Sequence, residues 1–141
     1  MKKLFLVILA VVAVINIRFS SFAAEDQPVA KVIAYYFHGM FRCNTCTKME
    51  KYSREAIEAN FQDVLASGNL EFKAVNVEDR RNEHFVNDYQ LYTKSLVLSL
   101  ERDGKEVKYR NLDKIWKLVH NKQKFIDYVT GEVSAFMKDA Q

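Results

Sequence analysis

Phe41-Arg42-Cys43-Asn44-Thr45-Cys46 holds both cysteines of a 141-residue chain, with two residues between them. A short apolar run, Val32-Ile33-Ala34-Tyr35-Tyr36-Phe37, lies before it, and a long segment of helical periodicity follows. The thiol pair is therefore expected between a strand and the first turn of a helix. Helix N-termini carry unpaired N–H groups and partial positive charge, which favour thiolate over thiol. Arg42 is expected to add a full positive charge beside Cys43.

Around this motif the apolar pattern alternates between two periods. Lys31–Phe37 reads as a buried strand, continuous, partly β-branched and aromatic. His38–Arg42 reads as a loop, with Gly39 permitting the bend. From Asn44 to Ser67, the positions Met49, Tyr52, Ala56, Ile57, Phe61, Val64 and Leu65 fall on one helical face. Asn44 or Thr45 is the expected cap and Gly68 the expected end. Leu70–Val77 is a second strand, and a strand–helix–strand crossover implies a parallel pair.

A charged loop, Glu78–Glu83, leads to a short helix expected over His84–Tyr92. Ser95–Leu100 and Glu106–Arg110 are strands joined at Asp103-Gly104, a hairpin turn signal. Asp113 is placed to cap a short helix carrying Ile115, Trp116 and Val119, and Lys122–Lys138 is the closing helix. Gly131 inside that helix is a mild cost to it. The predicted class is α/β, a central four-stranded mixed sheet in the order β-α-β-α-β-β-α with helices flanking it.

The N-terminus is of another kind. Met1-Lys2-Lys3, an apolar run from Leu4 to Ile15, and small residues Ser21 and Ala23 match a secretory signal peptide cleaved after Ala23. An uncleaved anchor is the alternative, although the run is short of the roughly 20 residues a bilayer crossing needs. The leader holds Lys2, Lys3 and Arg18, three of the 21 basic residues, so 18 remain against 18 acidic ones. No basic excess is left to argue for nucleic acid. Export would place the protein in the periplasm or cell envelope of a bacterium, where a disulfide can persist. The expected division is a leader over 1–23, a linker over 24–30 and one domain over 31–141.

The element order, with Cys43 and Cys46 at the head of the first helix, resembles the thioredoxin fold from Lys31 to about Lys138. Within that superfamily the chain resembles the nitrophenyl compound nitroreductase subunit ArsF family. The similar stretches are Tyr36-Phe37-His38-Gly39, Glu71–Val77 and Asp88-Tyr89-Gln90-Leu91-Tyr92. The first resemblance implies that Cys43 is the nucleophile and Cys46 the resolving thiol, joined as a disulfide when oxidised. The physical reading of the helix terminus and Arg42 agrees with that assignment. The second implies a part in nitroaromatic or arsenical reduction, with a redox partner protein as donor or acceptor.

Three departures from the thioredoxin pattern stand out. Asn44-Thr45 replaces Gly-Pro, and the strand Lys31–Phe37 contains no carboxylate to handle protons. Ser95 stands where the resemblance implies a cis-proline facing the disulfide. A cis bond at a non-proline residue costs about 2.5–4 kcal/mol, so Lys94–Ser95 is expected to be trans. Lys94 and Ser95 are then the residues of an altered substrate loop.

His38, five residues before Cys43, is a candidate proton exchanger or a solvated loop histidine; His84 and His120 read as surface residues. No glycine-rich dinucleotide motif is present, so no bound cofactor is expected. Two other readings of the cysteines remain open. One is a soft-metal or arsenite module using both thiolates, since the pair is half of a four-ligand zinc site that His38 and His84 would have to complete. The other is a noncatalytic interaction domain with a structural disulfide. So small a loop restrains the unfolded chain little, which weakens that case.

Overall fold

The structure is a computed structural model and describes residues 30–140. The expected leader, and the expected linker apart from Ala30, lie outside the described residues. Strand β1 spans Ala30–His38, helix α1 Asn44–Asn60, α2 Gln62–Ala66 and β2 Leu70–Asn76. Then follow α3 over His84–Asp88, β3 over Ser95–Arg102, β4 over Lys105–Asn111, α4 over Ile115–Leu118 and α5 over Lys122–Lys138.

The sheet order is β2-β1-β3-β4. β1 runs parallel to β2, pairing Tyr36 with Ala74, and antiparallel to β3, pairing Tyr36 with Leu96. β3 and β4 form an antiparallel hairpin, with a register shift between Leu100 and Glu101. Both turn residues, Asp103 at φ 52° and Gly104 at φ 73°, are left-handed, the geometry that matches strand twist. This is the mixed four-stranded sheet that the sequence pattern predicts, with a thioredoxin-like topology.

Alternation along the central strands divides the core in two. Val32, Ala34 and Tyr36 of β1, with Leu96, Leu98 and Leu100 of β3, face α1 and α5. Met49, Ala56 and Ile57 meet them from α1, and Phe125, Val129, Val133 and Phe136 from α5. Ile33, Tyr35, Phe37 and Val97 point the other way, where Phe85 and Tyr89 cover them. Each face is closed by its own apolar stripe, so β1 is buried on both sides and reads as a continuous apolar run.

Several boundaries differ from the sequence expectation. The segment Asn44–Ser67 is two helices, because Phe61 leaves helical geometry at φ −131° and turns into the main core. Cys43, not Asn44 or Thr45, caps α1, its sulfur accepting from the Cys46 N–H. The helix expected to reach Tyr92 ends at Asp88, and Gln90 at φ 51° turns the chain towards β3. Asp113 makes no side-chain cap to α4, which begins after Lys114. Helix α5 has the expected bounds and passes through Gly131, with Asn121 accepting from the Lys124 N–H at its start. No described helix is long and apolar enough to cross a membrane.

Candidate functional site

The site is built where β1 ends and α1 begins. Cys43 and Cys46 are joined as a disulfide with Cα atoms 5.0 Å apart, inside the range that a bridge requires. Cys43 is half-buried, whereas Cys46 is only 2% exposed and sits against the core. The Cys46 N–H donates to Cys43 Sγ at 3.1 Å. This is one of the first-turn N–H groups that have no partner within the helix. Below the pair, the buried hydroxyl of Tyr36 donates to the Cys46 carbonyl at 2.7 Å. Burial pushes the Tyr36 hydroxyl up to about 12, partly offset by the charge of Arg42.

Arg42 is less free than the sequence implies. Its guanidinium pairs with Glu50, one residue beyond Met49 on α1, while Nη1 lies 3.4 Å from His38 Nε2. The charge beside Cys43 is thus shared with a carboxylate, and the full positive charge expected there is reduced. His38 Nδ1 lies 3.0 Å from the Gly39 carbonyl, so the tautomer protonated at Nδ1 satisfies both ring nitrogens. His38 is half-buried beside Arg42, and so does not stand as a freely solvated side chain.

At Gly39 an added Cβ would crowd the flexible Glu78 carboxylate, which accepts from the Met40 N–H at 3.1 Å through Oε2. These loops border a cavity of about 170 Å³ lined by His38, Gly39, Glu78, Leu91, Tyr92 and Lys94, among others. The cysteines do not line it. Met40 and Phe41 are each 76% exposed and Tyr92 is 93% exposed, which leaves large apolar side chains around the motif without partners.

The 92–95 segment has the trans bond expected of it, and its polar groups are tied locally. No peptide bond among the described residues is cis, so Lys94–Ser95 is trans. The Ser95 hydroxyl donates to the Thr93 carbonyl at 3.0 Å within its own loop, and is not left free to face the thiols. The Lys94 carbonyl accepts from Trp116 Nε1 at 2.9 Å. Trp116 is half-buried against the main core and anchors this loop through its indole N–H.

His84 pairs with Asp88 at 2.8 Å and packs on Phe85, while His120 is exposed. The residues required for a four-ligand site are not brought together. Among the described residues, no group of three or more His, Cys, Asp or Glu side chains is arranged to hold a metal ion. Sequence reasoning missed Tyr36 and Glu50. The only signal for Tyr36 was a hydroxyl inside an otherwise apolar strand, and Glu50 was hidden among the charges of α1.

Strand order, register and the position of the cysteine pair define a thioredoxin-like domain, and the pair at disulfide distance fits a redox-type module. No family model and no curated protein matches the chain. Two solved structures show a distant likeness. A thioredoxin from Thermus thermophilus is 16% identical, with 64% of this chain and 72% of that chain covered and a TM-score of 0.40. A malarial protein is 14% identical, with 65% of this chain and 97% of that chain covered and a TM-score of 0.36. The class rests on the topology itself and not on these likenesses.

Proposed function

We propose that this protein is an exported thiol–disulfide oxidoreductase that passes electrons to or from a partner protein through Cys43 and Cys46. The observation that carries the reading is the Cys46 N–H placed 3.1 Å from Cys43 Sγ. A donor aimed at that sulfur stabilises it as a thiolate, the form that attacks disulfides.

In the reducing direction, the Cys43 thiolate attacks one sulfur of a partner disulfide. A mixed disulfide forms and one partner thiolate leaves. The shielded Cys46, losing its proton, attacks Cys43 Sγ and releases the second partner thiolate. Two electrons pass to the partner, whose thiolates take up two protons, and the Cys43–Cys46 disulfide remains. A dithiol protein restores the reduced pair by the same exchange; the opposite direction reverses each bond change. Met40 and Phe41, exposed in the loop that leads into Cys43, offer the partner an apolar surface.

The resemblance to the nitroreductase-subunit family supports a place in nitroaromatic or arsenical reduction. In that setting the subunit passes electrons and does not itself hold the nitro compound. The apolar run behind Lys2 and Lys3 supports export.

Equilibration with a dithiol buffer tests the reading. A redox-active pair has a reduction potential above about −300 mV, and a Cys46→Ser variant accumulates mixed disulfides at Cys43. A potential below that value, together with no mixed disulfide, would assign the bridge a purely structural role.

A further inference from the structure

Tyr36 and Cys46 are linked from below the motif. The Tyr36 side chain is fully buried, and its hydroxyl reaches the Cys46 carbonyl at 2.7 Å. The same residue, Cys46, presents its N–H to Cys43 Sγ at 3.1 Å. One amino acid is therefore held from the sheet through its carbonyl while its amide faces the half-buried Cys43 sulfur. Building on the oxidoreductase reading above, we propose that Tyr36 is a positioning residue that sets the thiolate character of Cys43 through Cys46.

Hydrogen bonds weaken steeply with angle, and first-turn N–H groups lack the helical partners that would fix their direction. A clamp on the Cys46 carbonyl restrains the turn that aims the amide. The clamp is itself rigid: Tyr36 lies in the central strand, bonded on one side to β2 and on the other to β3. Its hydroxyl stays protonated through the neutral range, because burial pushes it up to about 12. The charged or titratable groups of the motif loop, of α1 and of the neighbouring loops include His38, Arg42, Glu50, Glu78 and Lys94, and all remain when the hydroxyl is removed. No carboxylate occurs in β1, so no acid from that strand duplicates the effect.

The test is a Tyr36→Phe variant beside Tyr89→Phe. Tyr89 is also a buried tyrosine, but it donates to Glu106 and packs on the opposite face of the sheet. Cys43 is titrated in the reduced proteins by thiolate absorbance and by the pH dependence of alkylation. In Tyr36→Phe the midpoint should rise by about half a pH unit or more, roughly a threefold loss of thiolate below the midpoint. The reduction potential should become more negative, since the reduced state loses thiolate stabilisation. Tyr89→Phe should lose stability and shift neither quantity.

A folded Tyr36→Phe protein with an unmoved midpoint overturns the proposal. Hydrogen exchange in reduced wild-type protein tests it even if the variant fails to fold. The Cys46 amide should exchange at least about tenfold more slowly than those of Asn44 and Thr45; equal exchange overturns the proposal. The underlying function fails separately: a wild-type protein that exchanges with no disulfide overturns the oxidoreductase reading, while a shifted midpoint in Tyr36→Phe still establishes the positioning.

Discussion

Arg42 of the motif loop is paired with Glu50 of α1, so the cation next to Cys43 in sequence is partly neutralised by the helix that Cys43 caps. The Glu50 side chain is only 18% exposed, which limits how far solvent can screen the pair. Glu50→Gln should release Arg42 to act on Cys43. The Cys43 midpoint should then fall by about 0.3–0.7 pH unit, and alkylation below the midpoint should speed up about two- to fivefold. Arg42→Gln should shift it upwards. The pH profile of iodoacetamide labelling checks both.

The two sulfurs differ in access. Cys43 is half-buried, whereas Cys46 is 2% exposed. Mild alkylation of the reduced protein followed by peptide mapping should label Cys43 roughly tenfold or more ahead of Cys46. Equal labelling would mean that the first turn of α1 opens on reduction, and the roles of the two cysteines would have to be reassigned.

Gly39 separates a local clash from a folding defect. In Gly39→Ala the new methyl would displace the Glu78 carboxylate and break its bond with the Met40 N–H. Glu78 is an exposed, flexible side chain that can swing into solvent, so the cost should be about 1 kcal/mol or less. Urea denaturation should show this small loss, and the Met40 amide should exchange faster. A loss of several kcal/mol would show that the loop backbone, and not only Glu78, resists the change.

Alkaline stability should report on Tyr36. Its folded-state value is raised to about 12 from 10.0, so the fold favours the neutral phenol. This contribution is fully present below pH 10 and is lost as pH rises from there through about 12. The slope is about 1.4 kcal/mol per pH unit, or roughly 3 kcal/mol in all. Tyr35 behaves in the same direction and also reaches about 12. Denaturant midpoints measured from pH 9 to 12 should fall less steeply in Tyr36→Phe than in wild type. Parallel curves would contradict the raised value.

The order of the elements was legible in the sequence because it is written in short-range patterns. The apolar run of β1, the helical stripe from Met49 to Ile57 and the turn at Asp103-Gly104 each depend on near neighbours. The cysteine spacing likewise pointed to a redox motif before any contact was known. The break at Phe61 was not legible, since the residue continues the helical stripe and only the core decides that it turns inward. Nor were the links from Tyr36 to Cys46, Trp116 to Lys94 and Arg42 to Glu50, or the inward turn of the Ser95 hydroxyl. A side chain's polar partner depends on which loops and strands pack beside it. In a sequence, a hydroxyl within an apolar strand looks the same whether it faces a void, a water or the carbonyl of Cys46. Periodicity determined the scaffold and spacing the pair of sulfurs; the environment that tunes those sulfurs exists only once β1, α1 and the 92–95 loop have packed together.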